Sequence, residues 1–379
     1  MLSYLDNSAT TKPDAAVIEE VSRVLRDEWG NPSSLHGRGL AAELLLKGAR
    51  ETIAAALAVP PGTIYFSPNG TSSINAAIRG AAEARKRSGG KIVTTGVEHA
   101  ATLRTFEHLE KQGFEPVYIK PAIDGGGLAE AFAEAVDNQT VLASVMHVNN
   151  EMGQIFDIEA IAAAVKRKNP QTLVHCDAVQ SFMKLPLKLR GSNIDLLSVS
   201  GHKIHAPKGA GALYIREGLR ISPIVFGGGQ EKNIFPGTEN TAFAAGLAKA
   251  VEIAAPDIGK NLEHAADLNA YLREGLSSAA SAFALSPESA LPYIISLGLE
   301  GVRSEILLHY LEAREIYVSS GSACSRGKKS RVLAAFGVPD RLADCAVRVS
   351  FSRHTSREDI DSLLEALESA EKNIRKSRR

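Results

Sequence analysis

The stretch that most constrains the fold of this 379-residue chain is Ser198-Val199-Ser200-Gly201-His202-Lys203. It predicts an apolar strand that ends directly before a lysine. Open α/β sheets bind their ligands at such strand ends, and partial desolvation there lowers the pKa of a lysine, so that its amine can form an imine. Ser200 and His202 could donate hydrogen bonds to a phosphate beside it. The alternative interpretation is an exposed loop lysine next to a structural histidine.

Around this stretch, short β-branched runs alternate with alanine-rich helical segments. The runs predict strands over 64–66, 91–95, 117–119, 141–148, 173–176, 196–199 and 212–215. The segments between them predict helices over 71–86, 99–111, 128–136 and 158–168. Alternation of this kind requires crossover connections, so the fold class is α/β, with a mainly parallel sheet and helices on both faces.

The pattern changes after Gly229. A helical stretch over 239–280 is broken at Pro256. Strands are then predicted over 293–297, 316–319 and 346–351, with helices over 304–313 and 357–376. These features indicate a large domain over 13–255. A smaller α+β domain would combine residues 1–12 and 256–379.

Composition excludes several classes of protein. Lys plus Arg and Asp plus Glu both number 43, which removes the electrostatic case for direct nucleic-acid binding. Three cysteines are too few and too scattered for a disulfide framework or a Cys-rich zinc site, and no metal site is expected. The chain has no run of 18 apolar residues and no signal peptide at its start. We therefore expect a cytoplasmic protein in a reducing compartment, with no membrane contact.

A second strand end carries an acid. The run Val174-His175-Cys176-Asp177-Ala178-Val179-Gln180 is an apolar strand that ends in Asp177. An aspartate there could pair with the protonated ring nitrogen of a pyridoxal cofactor, and Gln180 could reach the phenolic oxygen of the ring. The alternative is an ordinary helix N-cap.

Further strand ends offer groups that suit the same cofactor. Gly70 and Thr71 lie between a strand and a helix, where a close backbone approach and helix N–H groups can bind phosphate. His99 could stack on a planar ring and move protons, and Asn150 could bind ring substituents. Each of these residues alone is ordinary, because structural N-caps and loop polar residues look the same.

The C-terminal region contributes a thiol. Cys324 lies in a Ser/Gly-rich loop with Arg326, Lys328 and Lys329. Positive charge and exposure lower the pKa of a thiol, as a nucleophilic cysteine requires. By contrast, Cys176 and Cys345 lie in or beside apolar strands and are expected to be inert core thiols.

An arginine on a predicted strand could bind a substrate. The planar guanidinium of Arg348 could hold a carboxylate in two places. The alternative for Arg348 is a structural salt bridge, and the neighbouring Arg353 is a competing candidate for the carboxylate.

Taken together, these motifs resemble the pyridoxal-phosphate-dependent cysteine desulfurases of the NifS/IscS type, in the class V aminotransferase group. The resemblance spans nearly the whole chain, through the segments 4-YLDNSATT-11, 30-GNPSS-34, 147-HVNNE-151, 200-SGHK-203, 237-GT-238 and 319-SSGSAC-324. It implies fold type I of the pyridoxal phosphate enzymes, with a seven-stranded sheet in the large domain. It also implies conversion of L-cysteine to L-alanine.

The resemblance further implies a role for each matching residue. Three would be catalytic: Lys203 holds the cofactor as a Schiff base and moves protons, His99 stacks on the ring and handles protons, and Cys324 attacks the substrate sulfur and becomes a persulfide. Asp177 would pair with the pyridine nitrogen and Gln180 and Asn150 with the ring oxygen. The phosphate would lie on Gly70, Thr71, Ser200 and His202, with Thr238 reaching the phosphate of the other subunit of a homodimer. Arg348 would bind the cysteine carboxylate, with Asn31 close by.

The chain departs from the family in three places. Ser72 stands where most relatives carry a glutamate, Phe235 stands where an arginine is usual, and the segment after Cys324 is shorter and more basic. The identity of the sulfur acceptor is therefore left open: it could belong to iron–sulfur assembly, tRNA thiolation or cofactor biosynthesis. Two other functions stay open as well: a selenocysteine lyase or aminotransferase of the same class, and a sulfur-relay scaffold with weak catalysis.

Overall fold

The computed structural model describes residues 2–320 and 330–374. Cys324 and the basic residues that follow it lie outside this range. The strands are β1 (Ser3–Tyr4), β2 (Ile64–Ser67), β3 (Lys91–Thr95), β4 (Glu115–Ile119), β5 (Thr140–Met146), β6 (Leu173–Asp177), β7 (Leu196–Ser200), β8 (Gly211–Ile215), β9 (Ala282–Ala284), β10 (Ile294–Leu299), β11 (Ile316–Tyr317), β12 (Ser319–Ser320) and β13 (Ala346–Ser350).

The helices follow the same order. They are α1 (Ala15–Asp27), α2 (Gly37–Leu57), α3 (Gly70–Arg85), α4 (Ala100–Glu110), α5 (Leu128–Ala135), α6 (Ile158–Lys168), α7 (Thr241–Ala254), α8 (Ile258–Gly275), α9 (Ser304–Glu312), α10 (Arg331–Ala335), α11 (Asp340–Ala343) and α12 (Arg357–Asn373). In the described part of the chain, no helix has both the length and the apolar character needed to cross a membrane.

The large sheet has the strand order β2-β8-β7-β6-β5-β3-β4, counted over the residues that the structure describes. The neighbours from β7 to β4 run parallel, and β8 is antiparallel to both of its neighbours. The predicted seven-stranded, mainly parallel sheet is therefore confirmed. It places the carboxyl ends of β5, β6 and β7 side by side at one edge.

Alternation of apolar residues along the strands explains why helices cover both faces. Ile92, Leu173 and Leu196 point into one core, together with apolar residues of α3 and α4. The next residue of each strand, Val93, Val174 or Leu197, belongs to the opposite core, which includes residues of α2, α5, α6 and α7. Because both faces are buried, the strands read as nearly continuous apolar runs.

A smaller antiparallel sheet has the order β12-β13-β10-β9. Apolar residues of α8, α9 and α12 pack with it in a separate core, which Leu5 from the chain start joins. The helix break predicted at Pro256 is confirmed, because a short 3-10 turn over Ala255–Asp257 separates α7 from α8. The division into a large domain (13–255) and a small domain (1–12 and 256–379) stays a prediction. The separate core draws only on residues from 1–12 and 256–379, whereas Val332, Leu333, Phe336, Val338 and Ala346 pack in a core of the large sheet.

Some strands and helices of the structure differ from those predicted from the sequence. The strand predicted over 316–319 is two short strands in different sheets, since β11 pairs with β1 and β12 pairs with β13. The 21-residue helix α2 was not predicted, and neither was the edge strand β9. In α2, apolar residues lie on every side, so its sequence lacks the one-sided pattern that marks a surface helix.

The chain start joins the two sheets. We call residues 5–11 the N-terminal segment. The side-chain amide of Asn7 donates to the carbonyl oxygen of Ser350 in β13 at 2.9 Å, and the backbone N–H of Ser8 donates to the Ser350 hydroxyl at 2.8 Å. On the other side, the N–H of Thr11 donates to the carbonyl oxygen of His202 at 2.9 Å. The segment therefore fixes the turn after β7 relative to the small sheet.

A buried glutamate holds two strand ends together. Oε1 of Glu98 accepts a hydrogen bond from the Thr95 hydroxyl at 2.7 Å and another from the backbone N–H of Met146 at 3.0 Å. Its Oε2 is buried and has no hydrogen-bond partner among the described residues. Burial raises the pKa of Glu98 to about 8, so the carboxyl group is protonated at neutral pH.

We expect Glu98→Gln to remove a pH dependence of stability. Unfolded, Glu98 loses its proton near its ordinary pKa, whereas folded it keeps the proton up to about pH 8. The folded state binds more protons in this window, so the stability that protonated Glu98 contributes is lost as pH rises through it. Between about pH 5 and about pH 9, the melting temperature of the variant should rise relative to that of the wild type as pH increases. Glu115→Gln, at an exposed position, is the control. If the difference in melting temperature between variant and wild type does not change with pH for either variant, the interpretation is contradicted.

Candidate active site

The site forms where β5, β6 and β7 end. Asp177 is the last residue of β6 and Ser200 the last of β7, while Asn150 follows β5 in the next loop. Lys203 closes the 3-10 turn over Gly201–Lys203 directly after β7. Adjacent parallel strands thus bring together residues that are far apart in sequence, as the sequence predicted.

The amine of Lys203 is held by the N-terminal segment. Its Nζ donates to the carbonyl oxygens of Ser8 and Ala9, the latter at 2.6 Å. The side-chain amide of Gln180 donates to the same Ser8 oxygen at 3.0 Å. These contacts place two of the predicted cofactor-binding residues around one backbone carbonyl.

Asp177 is a buried carboxyl group, 4% exposed. The backbone N–H of Val179 donates to its Oδ1 at 2.9 Å. Burial raises the pKa of Asp177, and the neighbouring His99 and Lys203 only partly oppose this rise. A buried carboxylate is costly unless a cation pairs with it, so the position favours a positively charged ligand group beside Asp177.

His99 caps helix α4 with its ring. Nδ1 accepts a hydrogen bond from the backbone N–H of Ala101 at 3.1 Å, so Nε2 carries the proton of the neutral ring. The residue as a whole is exposed to solvent. The surrounding protein nevertheless lowers the pKa of His99 by desolvation, Asp177 opposes this shift and Lys203 adds to it.

The start of α3 forms a close-fitting anion cradle. A Cβ at Gly70 would lie 2.8 Å from Cγ2 of Val179 and 3.2 Å from Cβ of Ser200, so only glycine fits. Asn69 caps the 16-residue helix by accepting from the N–H of Ser72 at 2.8 Å. The N–H groups at a helix start attract anions such as phosphate, and Thr71 is exposed beside them.

His202 approaches the N-terminal segment. Its Nδ1 lies 3.1 Å from the hydroxyl of Thr10. Burial, together with Lys203 and other lysines, lowers the pKa of His202 to about 4, so the ring is neutral at physiological pH. The neutral ring can still donate one hydrogen bond to an anion.

Three oxygen atoms of predicted cofactor-binding residues are buried and lack hydrogen-bond partners within residues 2–320 and 330–374. They are Oγ of Ser200, Oε1 of Gln180 and Oδ1 of Asn150. Buried polar atoms are normally paired, and unpaired ones point to a missing ligand or water. A flat polar ligand that carries a phosphate and a cationic ring nitrogen would pair with the Ser200 hydroxyl, Asp177 and the helix start together.

Arg348 lies on β13 and reaches the edge of the large sheet. Its two terminal nitrogens donate to the Asn150 carbonyl oxygen and to Oδ1 of Asp6, each at 2.8 Å. Its Nε is buried and unpaired among the described residues. The salt bridge considered from the sequence is therefore present, and Arg348 also borders the site. The competing candidate Arg353 pairs with Asp14 instead.

The structure does not join every predicted residue to this group. Asn31 is exposed, and its Oδ1 accepts from the N–H of Ser33 at 2.9 Å. Thr238 is also exposed. In the described part of the chain, neither hydrogen-bonds to another predicted site residue. Phe235, one of the departures, packs against the core on the α3 side.

The thiols outside the Cys324 loop behave as predicted. Cys176 and Cys345 are buried. Burial raises the pKa of both thiols, which keeps them protonated and unreactive. Cys324 itself lies outside the described residues, so its predicted role stays a prediction.

Sequence reasoning missed several polar residues around the site. Glu98 precedes His99, and Asp6 pairs with Arg348. Glu151 accepts from the Ser330 hydroxyl at 2.6 Å, and burial raises its pKa. Lys184 is buried near Lys203 and Arg348. The sequence signal that could have revealed Glu98 and Lys184 is a charged residue within a largely apolar stretch.

Comparison with known proteins agrees with this geometry. Residues 3–363 match the family described as aminotransferase class-V. Cysteine desulfurase IscS of Dictyoglomus turgidum is 38% identical over 369 residues, covering 96% of this chain and 93% of that protein. A solved NifS-like protein superposes with a TM-score of 0.94 at 37% identity, covering 99% of this chain and all of that one.

A second solved structure, described as SspA in complex with cysteine, has a TM-score of 0.83 at 32% identity and covers 93% of this chain and all of that one. Both the sequence matches and the structural matches extend over nearly the full length. The resemblance noted from the sequence motifs is confirmed. The chain belongs to the class V aminotransferase family and, within it, to the cysteine desulfurases of the IscS and NifS type.

Proposed function

We propose that this protein is a pyridoxal-phosphate-dependent cysteine desulfurase that converts L-cysteine to L-alanine and transfers the sulfur to Cys324. The observation that carries the proposal is the placement of Lys203 and the buried Asp177 at the ends of neighbouring strands. Relatives that match this chain over most of their own length are named cysteine desulfurases. This supports the same reaction here rather than that of an aminotransferase.

The residues present fit the cofactor of the family. Lys203 would hold pyridoxal phosphate through its amine, Asp177 would pair with the ring nitrogen, and His99 would stack on the ring. The side-chain amide N–H groups of Gln180 and Asn150 would donate to the ring oxygen, and the phosphate would lie against Gly70, Thr71, Ser200 and His202. When bound, the cofactor supplies an electron-accepting ring that stabilises negative charge at the substrate Cα.

The chain's own groups then handle substrate and protons. Arg348 would bind the substrate carboxylate through hydrogen bonds to charged groups. The Lys203 amine would move the proton at Cα, and the N–H at Nε2 of His99 would donate a hydrogen bond to the substrate sulfur. The Cys324 thiolate would attack the substrate sulfur, so that an S–S bond forms and the Cβ–S bond breaks. The electron pair left on carbon takes up a proton, which gives alanine.

Exposed apolar side chains support a homodimer. Trp29 is 68% exposed and Phe226 is 85% exposed. Seven exposed large apolar residues fall in two stretches of the sequence: Leu25, Trp29, Leu35, Leu40 and Leu44 in the first, and Val225 and Phe226 in the second. Large apolar side chains left exposed on a surface are typical of interaction sites. Thr238 comes after Val225 and Phe226 in the sequence and is itself exposed. Exposure is expected for a residue that contacts the phosphate in a partner subunit.

The persulfide would pass to a protein acceptor. We propose an iron–sulfur scaffold or a tRNA thiolase as the class of acceptor, because relatives of this type deliver sulfur from the loop that carries the cysteine. The basic residues Arg326, Lys328 and Lys329 beside Cys324 favour an acidic surface on that acceptor, since opposite charges speed and orient docking.

Lys203→Ala should remove both the covalent attachment and the proton transfer. We expect loss of the visible absorbance of the bound cofactor and a fall in alanine production of roughly 10²- to 10⁴-fold or more. Lys208→Ala is the matched control, because Lys208 is exposed on the same loop. Normal absorbance and turnover in the Lys203 variant would contradict the assignment.

Cys324→Ala should separate cofactor binding from sulfur transfer. We expect the purified variant to keep its colour, because Cys324 has no role in holding the cofactor, and to lose sulfide release from L-cysteine in the presence of a reductant. Cys345→Ala serves as the control, since Cys345 is buried and its thiol has a raised pKa. Full turnover by the Cys324 variant would remove this residue from the mechanism.

Two exposed leucines of α2 allow a test of the proposed dimer. Leu40 and Leu44 are exposed and lie one helical turn apart on the same face. Changing both to Asp should convert the protein from a dimer to a monomer in sedimentation equilibrium, because two charges would be buried in the interface. Ile306→Asp, on the exposed face of α9, should leave the mass unchanged. A wild-type protein that sediments as a monomer would overturn the proposal.

A further inference from the structure

Lys184 is a buried lysine that the proposed mechanism does not use. It lies in the turn after β6, close in sequence to Asp177, and it is 7% exposed. Its Nζ is fully buried and has no hydrogen-bond partner among residues 2–320 and 330–374. Lysine is almost never buried without a partner. An unpaired amine in this place therefore needs an explanation.

The charges that act on Lys184 are also positive. Lys203 and Arg348 both lie close enough to lower the pKa of Lys184, after the larger effect of burial, and together they bring it to about 7. Lys184 acts in the same way on His202. The Tyr293 ring is a further neighbour, with its centroid 5.6 Å from Nζ. The amine thus borders the site among like charges.

Two buried N–H donors are left unpaired in this region. They are Nζ of Lys184 and Nε of Arg348, within the part of the chain that the structure describes. The other nitrogens of Arg348 already bind Asn150 and Asp6. A single ligand with two acceptor oxygens and a negative charge would satisfy both donors and offset the cluster of cations.

We propose that Lys184 is a specificity-determining residue that, together with Arg348, binds the carboxylate of the amino-acid substrate. A carboxylate offers two oxygens and about four acceptor positions, which suits one ammonium and one guanidinium. The inference rests on the proposed function, because that reaction places the amine of L-cysteine at Lys203. The substrate carboxylate, one bond away from Cα, then comes to the Arg348 side of the site.

The assignment explains why an unpaired lysine is retained. Burying an amine without a partner costs stability, and an apolar residue of similar length would avoid that cost. Such a cost persists where function requires the group. A structural lysine would instead form hydrogen bonds in the unliganded protein.

The test compares Lys184→Met with the wild-type holoenzyme. Methionine keeps the length of the side chain and removes the charge. We expect KM for L-cysteine and the inhibition constant of L-alanine to rise roughly 10- to 100-fold, the range for a hydrogen bond to a charged group. The effect should fall on KM more than on kcat. Cysteamine, which lacks the carboxylate, should inhibit both proteins equally. Lys188→Met is the control, because Lys188 is exposed in the following segment.

Melting temperature separates binding from structure. Lys184→Met should melt at the same temperature as wild type or higher, because a buried unpaired amine has been removed. A lower melting temperature, or equal weakening of L-cysteine and cysteamine, would overturn the proposal. Weaker binding of pyridoxal phosphate with unchanged KM for L-cysteine would also overturn it, since Lys184 would then contact the cofactor. If the wild-type holoenzyme produces no alanine, the proposed function fails instead, and L-alanine and cysteamine binding still tests Lys184.

Discussion

The hydrogen bonds from the Lys203 amine to the carbonyl oxygens of Ser8 and Ala9 connect parts of the chain that are nearly 200 positions apart. The same N-terminal segment bonds Ser350 of the small sheet through Asn7. Its position therefore decides both where Lys203 lies and how the small sheet sits against the large one. The segment follows the short β1 and forms no strand of its own, so these long-range contacts fix its path. The contacts of Lys203 therefore depend on the position of the chain start between the two sheets.

Burial controls the ionisation of the groups around Lys203. It raises the pKa of the acids Asp177 and Glu98 and lowers the pKa of the bases His99 and Lys184. In each case the neutral form gains, because water is excluded. Nearby opposite charges compensate in part at Asp177 and His99, whereas Lys203 and Arg348 add to the effect of burial at Lys184. The proposed cofactor and substrate would place a cationic ring beside Asp177 and anionic groups beside Arg348 and the start of α3, so their binding energy would help to order the site.

Much of the fold follows from local pattern, whereas the site was only partly predictable. Alternating β-branched runs identified the strands of the large sheet, and strand ends singled out Asp177 and Lys203. Helix α2 escaped notice because its apolar residues lie on all sides, some of them in surfaces that a partner would cover. Glu98 and Lys184 escaped because their importance comes from burial by distant segments. A sequence shows that a charged residue is present, but tertiary packing decides whether water reaches it.

The two sheets divide the contacts that a substrate would make. In the proposed function, Lys203, which follows β7 of the large sheet, would meet the substrate amine, and Arg348, on β13 of the small sheet, would meet the substrate carboxylate. Arg348 also donates to the Asn150 carbonyl across the boundary between them. An α-amino acid that is held at both ends must therefore span this boundary, and its length has to match the separation that the N-terminal segment sets. Recognition of a small amino acid is in this way a property of how the sheets are joined, and a change at Asp6 or Asn7 would alter it without touching the substrate.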